Sequence, residues 1–497
     1  MRFRELLRGV DLLAMSGDLD ADVSSLTADS RVVTPGALFV SVPSLRKGAE
    51  DRGPEYIDSA VRGGAVAVVA ESAPQQGVAF AQVADSRRAL AHVAAAFYGN
   101  PAEKLSLTGV TGTSGKTTTT RMIESIFDAT GEPAGLIGTI EYRAGDERLV
   151  ADRTTPEANV VQEWLARMVR LGVTRAVMEV SSHALVLHRV LGIRFAAAVF
   201  TNLSQDHFDF HRDFEDYFAA KRTLFDQIDR SRQTAVVNID DSWGRRLASE
   251  LGSAVLSFGR GEEAVVRPTA DFEVSVRGLR GSVQTPAGVV RLESPLVGLP
   301  NLYNWLGAIG AAVVLGIPIG VIERGIRDLA SVPGRFERVD AGDGPTVIVD
   351  YAHKPDALEK LLLAVRELAG RRRIVLIVGC GGDRDRQKRP MMGAIAARLA
   401  DETILTSDNP RGEDPEAILD EIEKGMAGSD PSRYRRIADR RRAISEAIAA
   451  ADEDTVVVIA GKGHETYQVI GDRVVHFDDR EEAGLALKMR HEKAARI

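Results

Sequence analysis

A single cysteine among 497 residues, Cys380, excludes an internal disulfide and leaves stability to the hydrophobic cores. With no paired base evident near it in sequence, it reads as a small apolar residue at a strand end rather than a nucleophile. Long apolar runs are missing too. The opening stretch MRFRELLRGVDLLAMSGDLDADV carries charge at short intervals, with neither a signal-peptide core nor the ~20 apolar residues of a spanning helix. The expectation is a cytoplasmic protein with no membrane partner. Blocks of one charge are also absent: the net charge of -8 is spread along the chain, which excludes a footprint for nucleic acid. Any bound phosphate has to be met by a local site. There is no fixed-period repeat and no low-complexity segment, and a monomer is the default expectation.

What is present is an α/β pattern, short apolar runs alternating with helical stretches. GALFVSV and GGAVAVVAE read as strands and RRALAHVAAAFYG as a helix stopped by Gly99 and Pro101, a small α/β module ending near residue 103. KLSLTGV is the next strand, followed by a Gly-rich turn and a helix with Ile123, Ile126 and Phe127 on one face. AVMEV, AAAVFTNL and TAVVNI have the continuous apolar character of parallel strands buried on both sides. After VPGRFE come TVIVDYAHKP, RIVLIVGCGGDRDR, ETILTSDNPRGEDP and TVVVIAGKGHE, each a strand running into a polar loop. Three domains are expected: 1–103, 104–334 with a mainly parallel sheet, and 335–497, an open Rossmann-like sheet.

The turn TGTSGKTT follows a strand and opens a helix, the context a phosphate-binding P-loop requires. Backbone amides of Gly112, Thr113, Ser114, Gly115 and Thr118 attract phosphate oxygens at the helix N-terminus, Lys116 bridges the outer phosphates, and the Thr117 hydroxyl suits Mg²⁺. Position 110 is Val where the strict pattern has Gly. AVMEVSSHAL brings Glu179, and VFTNLSQDHFDFH brings Asp206 and His207, to further strand ends, where a carboxylate facing Mg²⁺ would act as Walker-B acids do. His207 and His211 have the spacing of a zinc pair but no third ligand to go with it.

TGTSGKTT, MEVSSHAL, TNLSQDHFDFH, YFAAKRTLF, NLYNWLGAI, PGRFE, DYAHKP and DNPR stand in the order and spacing of the Mur ligases of bacterial cell-wall synthesis, a resemblance running from about Asp29 to Arg480. The similarity is greatest to the branch that extends UDP-MurNAc-L-Ala-D-Glu by a diamino acid. It implies an N-terminal domain for the UDP end of that substrate, a central ATPase, and a C-terminal domain bringing the amino acid. In the reaction it implies, ATP phosphorylates the substrate carboxylate and the amine then displaces phosphate. By the same resemblance Lys221 is carbamylated and holds a second Mg²⁺, although its own helix pattern reads it as a solvated cation. Lys116, Lys221 and His207 would be catalytic, with Thr117, Glu179, His207 and modified Lys221 on metal. Asn304, Arg335 and Asp350 would meet the nucleotide. Ser30, Thr154, Thr155, Ser181 and Arg189 would meet the nucleotide sugar. Arg153 and Leu187 depart from the Asn and Gln familiar at those positions, and the loop SLRKGAEDRG, 44 to 53, lacks the usual D-G-H, so it is assigned no uridine ligand.

In the family the chain resembles, DNPR is the form that accompanies meso-diaminopimelate rather than L-lysine. Arg411 can grip the distal carboxylate that lysine lacks, with Arg384, Asp408, Asn409, Pro410, Gly461 and Glu465 as the other contacts the resemblance implies. The alternatives are the same reaction with L-lysine or LL-diaminopimelate, a folylpolyglutamate synthetase, or an ATP-driven switch. The N-terminal module argues against the folate enzyme and the three polar strand ends against the switch.

Overall fold

The computed structural model describes residues 1–43, 52–72, 77–339 and 344–494. The chain packs as two compact units, Met1–Val266 with Gly307–Val321, and Arg267–Leu306 with Ile322–Ile497. Both are α/β, built on parallel-rich sheets. No helix among the described residues is long and apolar enough to cross a membrane.

In the first unit, a five-stranded sheet has the order Leu12–Ser16, Ala79–Val83, Ala65–Ala70, Ala37–Val40, Ser25–Thr27, antiparallel only at its first pair. Helix Ser86–Phe97 covers it with Ala89, Leu90, Val93 and Ala94, and starts where Asp85 accepts the amides of Arg87 and Arg88. The second sheet of this unit decides where the chemistry lies. Its six parallel strands run Val255–Phe258, Ala235–Asn238, Ala197–Phe200, Ser106–Thr111, Arg175–Glu179, Ala134–Ile137, with Glu141–Ala144 and Glu147–Val150 added antiparallel. Register places Glu179 opposite Val110 and Phe200 opposite Thr111. Three neighbouring strands therefore end level, at the edge where an open parallel sheet presents its loops.

In the second unit, a six-stranded sheet has the order Glu337–Val339, Thr346–Asp350, Thr455–Ala460, Arg373–Val378, Glu402–Leu405, Tyr434–Arg436, parallel except at its first pair. Thr455–Ala460 is buried at every residue, which is why it reads as an unbroken apolar run. Among the elements the sequence reading did not give, two sets stand out in this unit. One is the antiparallel set Arg267–Pro268, Glu273–Ser275, Gly278–Thr285 and Gly288–Ser294; the other is the hairpin Tyr467–Ile470 with Arg473–His476.

Among the described residues of this unit, one ion pair is fully buried. Arg440, at the start of helix Arg440–Ala450, reaches both oxygens of Asp479 at 2.7 Å and donates to the Ala460 carbonyl at 3.0 Å. Arg440→Met strands the Asp479 carboxylate in the core, so a loss of about 3–5 kcal/mol is expected. Adding Asp479→Leu should recover most of it, because an apolar pair of similar volume carries no desolvation cost. Denaturant midpoints of the two variants check this.

Candidate active site

The strand Ser106–Thr111 turns through Gly112 into helix Lys116–Asp128. Gly112 has φ +149°, and a Cβ there would lie 1.9 Å from Thr201 Oγ1, so only glycine allows this close approach. The loop is pinned from the neighbouring strand end: the Thr113 amide donates to the Asn202 carbonyl at 2.9 Å and the Ser114 amide to Asn202 Oδ1 at 3.0 Å. Lys116 Nζ donates to the carbonyls of Gly112 and Thr113, both at 2.9 Å.

Lys221 is not the solvated cation its helix pattern suggests. Only 1% exposed, its Nζ donates to the same Gly112 carbonyl at 2.8 Å and lies 4.4 Å from the centre of the Tyr217 ring. Burial, reinforced by the charge on Lys116, pushes its pKa well below the ordinary lysine value.

Glu179 is buried at the end of its strand. Its Oε2 accepts from Thr117 Oγ1 at 2.9 Å and from Thr139 Oγ1 at 3.0 Å, while Oε1 accepts the Thr139 amide at 2.7 Å. Thr139 Oγ1 is 3.0 Å from Thr154 Oγ1, and Thr155 Oγ1 donates to the Glu179 carbonyl at 2.8 Å. The Ser181 amide donates to Thr155 Oγ1 at 3.2 Å, and Arg189 Nη1 to the Thr155 carbonyl at 2.9 Å. Thr117, Glu179, Thr154, Thr155, Ser181 and Arg189 thus form one network, with Thr139 a member that sequence reasoning missed. Thr118 is buried in the first helical turn. Ser30 lies on a turn of the five-stranded sheet beside the Asp29–Arg31 pair, and no hydrogen bond joins it to the network among the described residues. Of the loop 44 to 53, residues 44–51 lie outside the described residues. Arg153 is paired with Glu157 at 3.2 Å, and Leu187 is buried.

The hard-oxygen pair Thr117 and Glu179 fits a Mg²⁺ whose shell is completed by phosphate oxygens and water. Among the described residues no group of three or more His, Cys, Asp or Glu is placed to hold a metal ion. His207 has φ +57° and its Nε2 lies 3.3 Å from Asp206 Oδ2. His211 is buried between Ser182 Oγ at 2.9 Å and Asp216 Oδ2 at 3.2 Å.

In the second unit, Asp350 accepts the amides of Phe336 at 2.7 Å and Ala352 at 2.8 Å, and desolvation holds its carboxyl above the usual range. Arg335 stacks on Tyr351, 4.7 Å from the ring centre. Asn304 is buried and donates to Asn301 Oδ1 at 3.3 Å. Gly334, φ +62°, is forced by contact: a Cβ there would lie 2.0 Å from the Gly463 carbonyl carbon and the His464 nitrogen.

The loop ends of Thr455–Ala460 and Glu402–Leu405 carry Asp408, Asn409, Pro410, Arg411, Gly461 and Glu465. Arg411 Nη1 donates to the Gly382 carbonyl at 2.9 Å, and Arg384 Nη1 to the Asp383 carbonyl at 3.1 Å. Neither guanidinium has an acidic partner among the described residues. Asn409 Nδ2 donates to Glu465 Oε2 at 2.9 Å, and Gly461 N to the Asp350 carbonyl at 3.1 Å. Strain gathers at these places. Of the six described non-glycine residues with positive φ, His207 and Arg411 are site candidates, while His188, Phe336 and Asp383 each adjoin one; only Asn100 lies apart.

The sequence matches the family model described as the Mur ligase middle domain over residues 110–312, and that of the Mur ligase glutamate ligase domain over 334–463. The chain belongs to the Mur ligase family. This Mur ligase is 47% identical over 506 residues, 99% of each chain, to UDP-N-acetylmuramoyl-L-alanyl-D-glutamate--2,6-diaminopimelate ligase of Gloeobacter violaceus. A solved structure of a protein with that same name superposes with a TM-score of 0.70 at 31% identity, covering 99% of both chains. The MurF ligase of Thermotoga maritima in complex with ADP shares the Mur ligase fold at a TM-score of 0.62 and 18% identity, covering 95% of this chain and 99% of that one.

Proposed function

We propose that the chain is an ATP-dependent ligase that adds meso-diaminopimelate to UDP-MurNAc-L-Ala-D-Glu in peptidoglycan precursor synthesis. The observation that carries the choice of amino acid is the pair of guanidiniums, Arg384 and Arg411, without acidic partners beside the Asp408–Glu465 carboxylates. A ligand end bearing both a carboxylate and an ammonium complements that arrangement. The match in name and near-full length to a diaminopimelate ligase supports the same reading.

The chemistry follows from the acceptor. A carboxylate does not acylate an amine in water, because oxide would have to leave. Its oxygen instead attacks the γ-phosphorus of ATP, ADP departs, and the resulting acyl phosphate has phosphate as its leaving group. The deprotonated amine then attacks the carbonyl carbon, the C–O bond to phosphate breaks, and an amide remains. The first step brings two anions together, so cations must already be in place. Lys116 at the loop supplies one, and Thr117 with Glu179 and His207 would hold Mg²⁺, which lowers the phosphate charge facing the carboxylate. Carbamylated Lys221 belongs to the same reading; burial favours its uncharged amine, the form that adds carbon dioxide. The division 1–103, 104–334 and 335–497, with UDP, ATP and amino-acid roles in that order, is part of it, as are a cytoplasmic location and a monomeric state.

Phosphate release with ATP, Mg²⁺ and UDP-MurNAc-L-Ala-D-Glu is the test, with meso-diaminopimelate, LL-diaminopimelate or L-lysine added. Release together with tripeptide only in the meso-diaminopimelate tube is the expected result. Turnover with lysine instead would overturn the specificity, and release without any amino acid would overturn the ligase.

A further inference from the structure

Lys462, in the motif GKGHE, is completely buried, with 0% of its surface exposed. Its Nζ donates to Asn409 Oδ1 and to Glu465 Oε2, each at 3.2 Å, lies 3.6 Å from Asp408 Oδ1, and sits 5.6 Å from the centre of the Tyr467 ring. A buried ammonium needs such partners, and here they are three groups that share one loop cluster.

The consequence lies in what the partners have left to offer. Asn409 Oδ1 takes two donors, Lys462 Nζ and the Val469 amide at 2.9 Å, so its amide cannot turn round. Nδ2 is then obliged to face Glu465, where it donates to Oε2 at 2.9 Å. Glu465 Oε2 is therefore occupied twice, and no hydrogen bond reaches Oε1 among the described residues. Asp408 Oδ1 is buried with no hydrogen-bond partner. Of these groups Lys462 carries one positive charge against the two carboxylates, with Arg384 and Arg411 on the adjoining loops.

We propose that Lys462 is a positioning residue for amino-acid selection: by fixing the Asn409 amide and engaging one Glu465 oxygen, it presents the other to the distal ammonium of the incoming diamino acid. The inference rests on the functional reading above and adds to it the group that orients the recognising carboxylate. Lys462 itself has no surface with which to touch a ligand.

The test compares meso-diaminopimelate with L-2-aminopimelate, which keeps the distal carboxylate and lacks the distal ammonium. Wild-type protein should prefer diaminopimelate by about 10- to 100-fold in kcat/KM, the worth of a hydrogen bond to a charged group. In Lys462→Met that preference should fall to about threefold or less, mostly through KM for diaminopimelate, with KM for ATP changed little. Lys462→Gln serves as a second variant should the methionine form fail to fold. Glu465→Gln should lower the preference in wild type and add little in the Lys462→Met background. Loss of a merely structural lysine would weaken use of both amino acids equally, and an undiminished preference in the folded variants would overturn the inference while leaving the ligase reading intact. A wild-type protein that ligates neither amino acid would overturn the functional reading and this inference with it.

Discussion

Lys116→Met is expected to lower kcat for tripeptide formation by about 10³, the upper range for removing one preorganised charge donor from a reacting phosphate. The ammonium is held by the carbonyls of Gly112 and Thr113, two points of its own loop, so it stands at the phosphate site before any ligand arrives. Methionine keeps the length of the stem and removes the charge. Lys116→Arg should not restore activity, since a planar fork does not fit a site shaped by two converging carbonyls. Phosphate release under saturating substrates measures both. A loss smaller than tenfold would mean that the charge on the γ-phosphate is met elsewhere.

The second large effect concerns Arg411. Arg411→Met is expected to reduce kcat/KM for meso-diaminopimelate by about 10², with little change for lysine, so that the ratio between them collapses. An unpaired buried guanidinium would set that ratio at about 10² to 10⁴. Arg411 is half-buried, which places the expectation at the lower end. Its backbone, at φ +51°, is held by a hydrogen bond from its amide to the Val469 carbonyl at 3.0 Å and by one from Gly471 to its own carbonyl at 2.8 Å. The side chain therefore leaves from a fixed point. Competition between the two amino acids in one tube, read by product mass, gives the ratio directly.

Much of this was legible in the sequence because it depends on local rules. The turn at Gly112 and the strand runs AVMEV and TVVVIA are fixed by backbone freedom and by burial on both faces, which leave marks in neighbouring residues. The level ending of three strands followed from the parallel pattern. Lys221 was not legible without the resemblance, because an amphipathic helix shows which face is apolar but not which loop will close over a polar position. Lys462 was missed for a similar reason: its burial is made by Asp408, Asn409 and Tyr467, from segments that only the fold brings together. Of the antiparallel strands between Arg267 and Ser294, Arg267–Pro268 and Glu273–Ser275 are too short to leave a pattern, whereas Gly288–Ser294 buries Val290, Leu292 and Ser294 alternately, a period-two signal the sequence did carry.

The contact between Gly334 and the Gly463–His464 peptide has a mechanical consequence. Arg335, expected at the nucleotide, and Glu465, expected at the amino acid, are each anchored within two residues of a point where two main chains touch with no side chain between them. Such a joint has no slack: a shift of either loop is handed to the other without attenuation. Efforts to retune this protein toward a different amino acid by rebuilding the 461–465 loop will therefore disturb nucleotide affinity as well, and the two loops have to be redesigned as one part.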